Sequence, residues 1–433
     1  MTQQAKQWGA IIIMIALFAM IAFVTNLCSP MAIIVKNQFG ASDVLAQVGN
    51  YGNFIAYLVM GIPSGMLIKK FGYKKTALLA LLVGIVGILV QWMSGWDSVQ
   101  SFGVYLIGAF ISGFCMCMLN TVVNPMLNTL GGGGNKGNQL IQIGGAFNSC
   151  AAVAVYILMG ALIGDAAKAK IADATPALFI ALAIFIVAFI VILFSKIEEP
   201  DQHNEAVKST ANDKYSAFSF RHFKLGILAI FLYMSVEVGT PTYILQYLTT
   251  SPDASTPGLG MDATIVGLIV AVYWLLMFVG RSIGGAIGDK ISSKTMLSIV
   301  STASVVLIAF GMFAPTDVMV QVPGIDWANL SMIWAEVPVG IFAFLLVGLC
   351  TSVMWGSIFN LAVEGLGKYT SIASGAFMTM VFGCAVMVAL QAWVADVTGS
   401  FLTSYFVVLF CAAYLLFYAL VGSKNVNKDI PVE

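Results

Sequence analysis

Charge is scarce in this chain of 433 residues: only 9% of them are Asp, Glu, Lys or Arg, against roughly a quarter in ordinary soluble domains. With 60% of the residues hydrophobic, a water-soluble fold of this size has too little polar surface to cover itself, which excludes that class. Histidine is nearly missing. The two present, His203 and His222, both fall in the central polar stretch, so the hydrophobic runs hold no His-based metal site or catalytic group. Neither charge is in excess, since 20 basic residues face 20 acidic ones, and nucleic acid is offered no basic face. The seven cysteines (Cys28, Cys115, Cys117, Cys150, Cys350, Cys384, Cys411) all lie inside hydrophobic runs and read as small apolar packing residues, with no disulfide framework. The glycine run Gly131 to Gly134 lacks both a Gly-Lys-Ser/Thr ending and a strand before it, so it reads as a loop and not as a phosphate cradle. The first apolar run, Trp8 to Val35, is too long for a cleavable leader and shows no small-residue cleavage pattern.

What the chain does have is hydrophobic runs of about twenty residues, each long enough to cross a hydrocarbon core of about 30 Å as a helix. Lipid offers the backbone no partners, so the runs must be helical. We place spans near 9–35, 47–68, 77–95, 102–128, 140–164 and 176–196, then 223–250, 264–288, 295–315, 332–361, 372–396 and 402–422. The one long charged stretch, Lys196 to Lys224, separates two sets of six. The fold class is therefore an all-α polytopic membrane protein of twelve transmembrane helices, with an N-terminal half (1–196), a linker (197–222) and a C-terminal half (223–433). With both termini and the linker cytoplasmic, only Lys36, Lys168 and Lys170 of the 20 basic residues would lie outside. That asymmetry sets the expected orientation in a cytoplasmic (inner) membrane.

The halves echo one another. Gly65, Lys70 and Lys74 after the second span are matched 220 residues later by Gly285, Lys290 and Lys294. Asn124 with Leu130-Gly131 is matched by Asn360 with Leu366-Gly367, and Gly145-Ala146-Phe147 by Gly375-Ala376-Phe377. Duplicated halves imply a site between them at mid-membrane.

The stretch Gly61-Ile-Pro-Ser-Gly65-Met-Leu-Ile-Lys69-Lys70-Phe-Gly72-Tyr-Lys74-Lys75-Thr76 resembles the loop signature of the major facilitator superfamily, with a second copy at Gly284-Gly285-Ala-Ile-Gly288-Asp289-Lys290. More specific are Asn120-Thr-Val-Val-Asn124-Pro125 in the fourth span and Gly145-Ala-Phe147-Asn148-Ser149 in the fifth. With Asn26-Leu27, Phe220-Arg221-His222 and Tyr233-Met-Ser-Val-Glu237, they resemble the fucose:proton symporter family, including its glucose/galactose and N-acetylglucosamine permease branches. The resemblance implies a bacterial secondary active transporter that imports a small neutral sugar with a proton or sodium ion across the lipid bilayer, without a cofactor and without catalysis. The chain departs from the fucose permeases at two acidic positions, where it has Ser29 and Asn120. Glu237 matches the seventh-span glutamate of the glucose/galactose branch.

Read from the residues themselves, intramembrane amides need partners, and sugar hydroxyls can match them two at a time. Asn120 and Asn124, four apart, share one helix face. Asn26, Gln142, Asn148 and Asn360 add further amides, and Tyr243 and Trp355 are aromatic faces for sugar C–H edges. These eight are the expected substrate residues, with Asn120, Asn124, Trp355 and Asn360 at the centre. Arg281 is placed near the loop end of its span, which leaves the midplane without a basic group and favours a neutral solute. Glu237 is the one carboxyl deep inside a span, and it is the expected coupling residue. Pro241, four residues on, lacks the N–H that would bond the Glu237 carbonyl, so the seventh span should open locally there. A passive sugar facilitator and a membrane-embedded enzyme are the alternatives. The enzyme would need clustered acids, histidines or a metal motif within the spans.

Overall fold

The computed structural model describes residues 3–39, 43–163, 170–195, 197, 215–326, 331–427 and 429–432. The linker's 198–214, and the side chains of Cys28 and Ser29, lie outside the described residues. Six helices make the N-terminal half: α1 (Gln3–Phe39), α2 (Asp43–Phe71), α3 (Tyr73–Met93), α4 (Phe102–Leu130), α5 (Gly134–Ile163) and α6 (Thr175–Phe194). Six helical spans make the other: α7 (Arg221–Thr249), α8 (Ala263–Ile287), α9 (Ser293–Phe313), α10 (Val339–Val363), α11 (Gly367–Thr398) and α12 (Phe401–Gly422). Among the described residues eleven of these are long and apolar enough to cross a membrane. The twelfth, α5, carries Asn135, Lys136, Asn138, Gln139 and Gln142 in its first turns. Large side chains such as Val187, Phe194, Phe313 and Trp393 point outward from the bundle, as expected of a surface facing lipid.

One expected boundary is corrected. Residues 332–338 are not the start of the tenth span; an antiparallel hairpin, β1 (Met319–Asp326) with β2 (Ser331–Pro338), occupies them in a register running from Met319↔Pro338 to Asp326↔Ser331. Val320, Val322, Ile333 and Val337 are β-branched residues that favour a strand, and the helix begins just after Pro338.

The loop signature has a local reason. α2 and α3 are joined through Gly72 alone, at φ 85°, a left-handed conformation that an L side chain resists. Lys74 then donates to the carbonyls of Leu193 (3.0 Å) and Ser195 (2.7 Å) at the end of α6. A helix C-terminus has unpaired carbonyls and partial negative charge, so a cation there stabilises it by about 0.3–1 kcal/mol.

The halves meet tightly at the end bearing these basic loops. On one side Gly61 and Gly65 of α2 lie against Ser371, Gly375 and Thr379 of α11; a Cβ on Gly65 would sit 2.6 Å from the Ser371 carbonyl. On the other, Gly284, Gly285 and Gly288 of α8 lie against Gln139, Gln142 and Ile143 of α5. Gln139 Nε2 donates to the Gly285 carbonyl (3.0 Å), and Gln142 Nε2 to the Val353 carbonyl of α10 (3.0 Å). Small residues let backbones approach closely, and these two glycine contacts seal that end of the molecule.

Candidate functional site

Directly above the seal, between the halves, lies a cavity of about 170 Å³, room for several water molecules. Six of the expected residues line it: Asn26, Asn120, Gln142, Asn148, Glu237 and Trp355. Asn120 Nδ2 donates to the Tyr57 hydroxyl (2.7 Å), Asn148 Nδ2 to the Phe18 carbonyl (2.8 Å), and Asn26 Nδ2 to the Ala22 carbonyl of its own helix (2.8 Å). Each of these bonds fixes an amide through its nitrogen, so the wall presents amide oxygens at set positions.

Three expected residues are placed elsewhere. Asn120 and Gly356 stand at equivalent repeat positions and both line the cavity. Asn124 and Asn360, each four residues further along, are therefore one turn, about 5.4 Å, below its floor. Asn124 is fully buried; its Nδ2 bonds the Asn120 carbonyl (2.9 Å) and its Oδ1 accepts from Trp355 Nε1 (3.1 Å). It thus holds the indole across the boundary between halves. Asn360 Nδ2 is spent on Ser293 Oγ (2.8 Å), inside the C-terminal half. Tyr243 turns away, with its hydroxyl on the Val388 carbonyl (3.3 Å) and its ring on Phe401.

Arg281 is the main correction. Instead of belonging to the loop end of α8 it reaches the cavity wall, where Nη2 lies 3.4 Å from Glu237 Oε1, both side chains 13% exposed. Its Nη1 donates to Ser149 Oγ at 2.8 Å and lies 3.4 Å from Asn148 Oδ1 and the Gly145 carbonyl. A long flexible side chain rooted less than two turns from the Ile287 end of α8 can still reach inward when α5 offers acceptors. The repeat carried a signal for it, because the first-half position 220 residues earlier is Gly61, in the sealing face. Tyr57, one turn before Gly61, gave no such signal; nor did Phe18 and Thr25, which also line the cavity.

The opening expected around Pro241 takes a definite form. Ser235–Gly239 is a π-helical turn carrying Glu237, a feature that recurs at functional sites. The freed carbonyl of Glu237 accepts from the Tyr273 hydroxyl (3.0 Å), which also lies 3.3 Å from the Val236 carbonyl and 3.2 Å from Thr351 Oγ1. No group of His, Cys, Asp and Glu that could hold a metal occurs among the described residues.

The family model described as Major Facilitator Superfamily matches residues 13–390. A glucose/galactose transporter of Brucella abortus is 27% identical over 431 residues, 98% of this chain and 97% of that one. The L-fucose-proton symporter of Escherichia coli is 21% identical, covering 87% and 84%. Among solved structures, the superfamily transporter FucP, in the outward conformation, superposes with a TM-score of 0.78 at 19% identity, covering 96% of this chain and 99% of that one.

Proposed function

Because this chain belongs to the major facilitator superfamily, we propose that it imports a neutral sugar by cation symport, alternating access to the cavity between its halves. The observation that carries this reading is the cavity itself: four amides from the N-terminal half facing one indole from the other, and a single carboxyl whose charge is already matched by Arg281. A matched pair offers the site no net charge, so an uncharged solute suits it. The named relatives, a glucose/galactose transporter and an L-fucose-proton symporter, support a hexose-sized sugar. Glu237 is the coupling carboxyl, and the coupling ion is a proton. A metal cation bound to that carboxylate would stand beside the guanidinium at 3.4 Å, and like charges so close repel strongly. The asymmetry of the basic loops supports a cytoplasmic position for the sealed end, both termini and the linker in an inner membrane.

The testing experiment is uptake of radiolabelled D-glucose, D-galactose and L-fucose into proteoliposomes, with proton and sodium gradients imposed separately. Accumulation driven by the proton gradient is the expected result; counterflow without accumulation under either gradient would replace symport with passive facilitation. In the same preparation Asn120→Ala should weaken sugar affinity about tenfold, the cost of one well-used hydrogen bond. Asn360→Ala, which breaks a bond to Ser293 within one half, should lower thermal stability and not affinity. Equal affinity losses in the two variants would move the site one turn deeper.

A further inference from the structure

Arg281 touches both halves of the molecule. Its partner Glu237 is in its own half, on α7, whereas Ser149, Asn148 and the Gly145 carbonyl are on α5 of the other. The guanidinium therefore spans the boundary just above the glycine seal between α8 and α5. The internal repeat shows that such a residue is not needed for sealing. At the 220-residue spacing of the loop copies, Gly61 corresponds to Arg281; at the 230-residue spacing of Gly145 and Gly375, Ser149 corresponds to Thr379. Gly61 packs directly on Gly375 and Thr379, and Arg281 lies on Gly145 and Ser149, its Cδ 3.3 Å from where a Gly145 Cβ would be. The same contact is built twice, once closed by glycine and once carrying a charge into the cavity.

That charge is permanent, since arginine does not give up its proton. Its bond to an ionised carboxylate adds an attraction between opposite charges that a neutral acceptor does not supply. A proton arriving on Glu237 from water in the cavity removes that advantage and leaves the acceptors on α5 as the strongest ones in reach. Groups facing the Glu237 carboxyl and its neighbours are Tyr233 on α7, Tyr273 on α8, Cys350 on α10 and Cys384 on α11, with Tyr57 of α2 across the cavity. None is a carboxyl or a histidine, and no second carboxylate lines the cavity among the described residues. Guanidinium released by Glu237 thus has one place to go. Resting on the symport reading above, we propose that Arg281 is a positioning residue that tightens the cytoplasmic seal when Glu237 is protonated and lets it go when sugar hydroxyls compete for Asn148 in the cavity wall. A proton alone then holds the carrier shut on that side, and a proton with sugar frees it, which prevents a futile proton leak.

The test is the distance between spin labels at Lys70→Cys and Lys290→Cys, which stand on opposite halves at the sealed end, in lipid nanodiscs with the native cysteines replaced. Lowering the pH from about 8 to about 5 should raise the closed-to-open ratio by about fivefold or more, a typical coupling between sites, and D-galactose at the lower pH should reverse it. Glu237→Gln should be closed at both pH values. Ser149→Ala, which removes the 2.8 Å acceptor and spares the ion pair, should lose the pH response, as should Arg281→Gln. A pH response that persists in Ser149→Ala and Arg281→Gln, or acid that opens the parent, overturns the proposal. Sugar uptake is measured on the same preparations without labels. If the parent accumulates sugar but shows no pH response, the clasp falls and the symport reading stands. If the pH response is present and lost in Ser149→Ala while no sugar is carried, the clasp stands and the sugar assignment falls.

Discussion

Glu237→Gln is expected to abolish gradient-driven accumulation while leaving sugar exchange measurable. The carboxyl sits in the π-helical turn of α7, faces the cavity and pairs with Arg281. Glutamine keeps the shape and hydrogen-bonding reach of a protonated glutamate but cannot take up or release a proton. Moving one proton through an imposed potential of about 100 mV is worth about 2.3 kcal/mol, so a coupled parent should concentrate sugar about fiftyfold under that potential. The variant should only equilibrate it. Exchange of labelled for unlabelled sugar, which needs no proton release, should continue. A Gln variant that concentrates sugar as well as the parent would make Glu237 structural and move coupling elsewhere.

Gly61→Val should cost the carrier its sealed state. A Cβ at this position would come within 2.5 Å of the Thr379 backbone nitrogen and 2.7 Å of the Gly375 carbonyl, atoms that cannot rotate out of the way. Overpacking of this kind costs about 1–3 kcal/mol, enough to depress the sealed population about fivefold to a hundredfold. Uptake should fall by about fivefold or more, and a cysteine placed at Thr25 in the cavity wall should become reactive to a thiol reagent added from the basic-loop side. Gly267 is the control, because nothing lies within 4 Å of its would-be Cβ. If Gly267→Val lowers uptake as much as Gly61→Val, the close approach at Gly61 is not what matters.

Much of the architecture was legible because lipid enforces it. Runs of twenty apolar residues can only be helices there, and the repeat of Gly65, Lys70 and Lys74 at Gly285, Lys290 and Lys294 fixed the pairing of the halves. Glu237 and Pro241 announced the opened turn for a local reason: a missing N–H leaves one carbonyl to be satisfied from outside the helix. The Tyr273 hydroxyl that satisfies it comes from α8, and no local pattern points to it. Depth was the weaker reading. Helical spacing put Asn120 and Asn124 on one face correctly but could not say that the cavity floor passes between them, so that Asn124 braces Trp355 from beneath. The reach of Arg281 was hidden for a different reason: hydropathy assigns a residue to the depth of its backbone, whereas a guanidinium works at the end of a long stem. The β1–β2 hairpin was hidden because Met332, Ile333, Trp334, Ala335 and Val337 run straight into the apolar helix that follows, with only Glu336 to break the run.

Each half also ties off its own ends. Lys74 caps the carbonyls at the end of α6 from within the N-terminal half. At the start of α7 the Arg221 N–H bonds Asn427 Oδ1 (2.8 Å), and the Lys368 N–H bonds the Val432 carbonyl (3.0 Å), so the C-terminal segment fastens back onto its own half. The helix ends that border the 198–214 stretch thus find their partners without it. A cut there leaves the Lys74 bonds and the Arg221–Asn427 bond in place, so the two fragments, made as separate polypeptides in one membrane, are expected to find each other and work as a carrier.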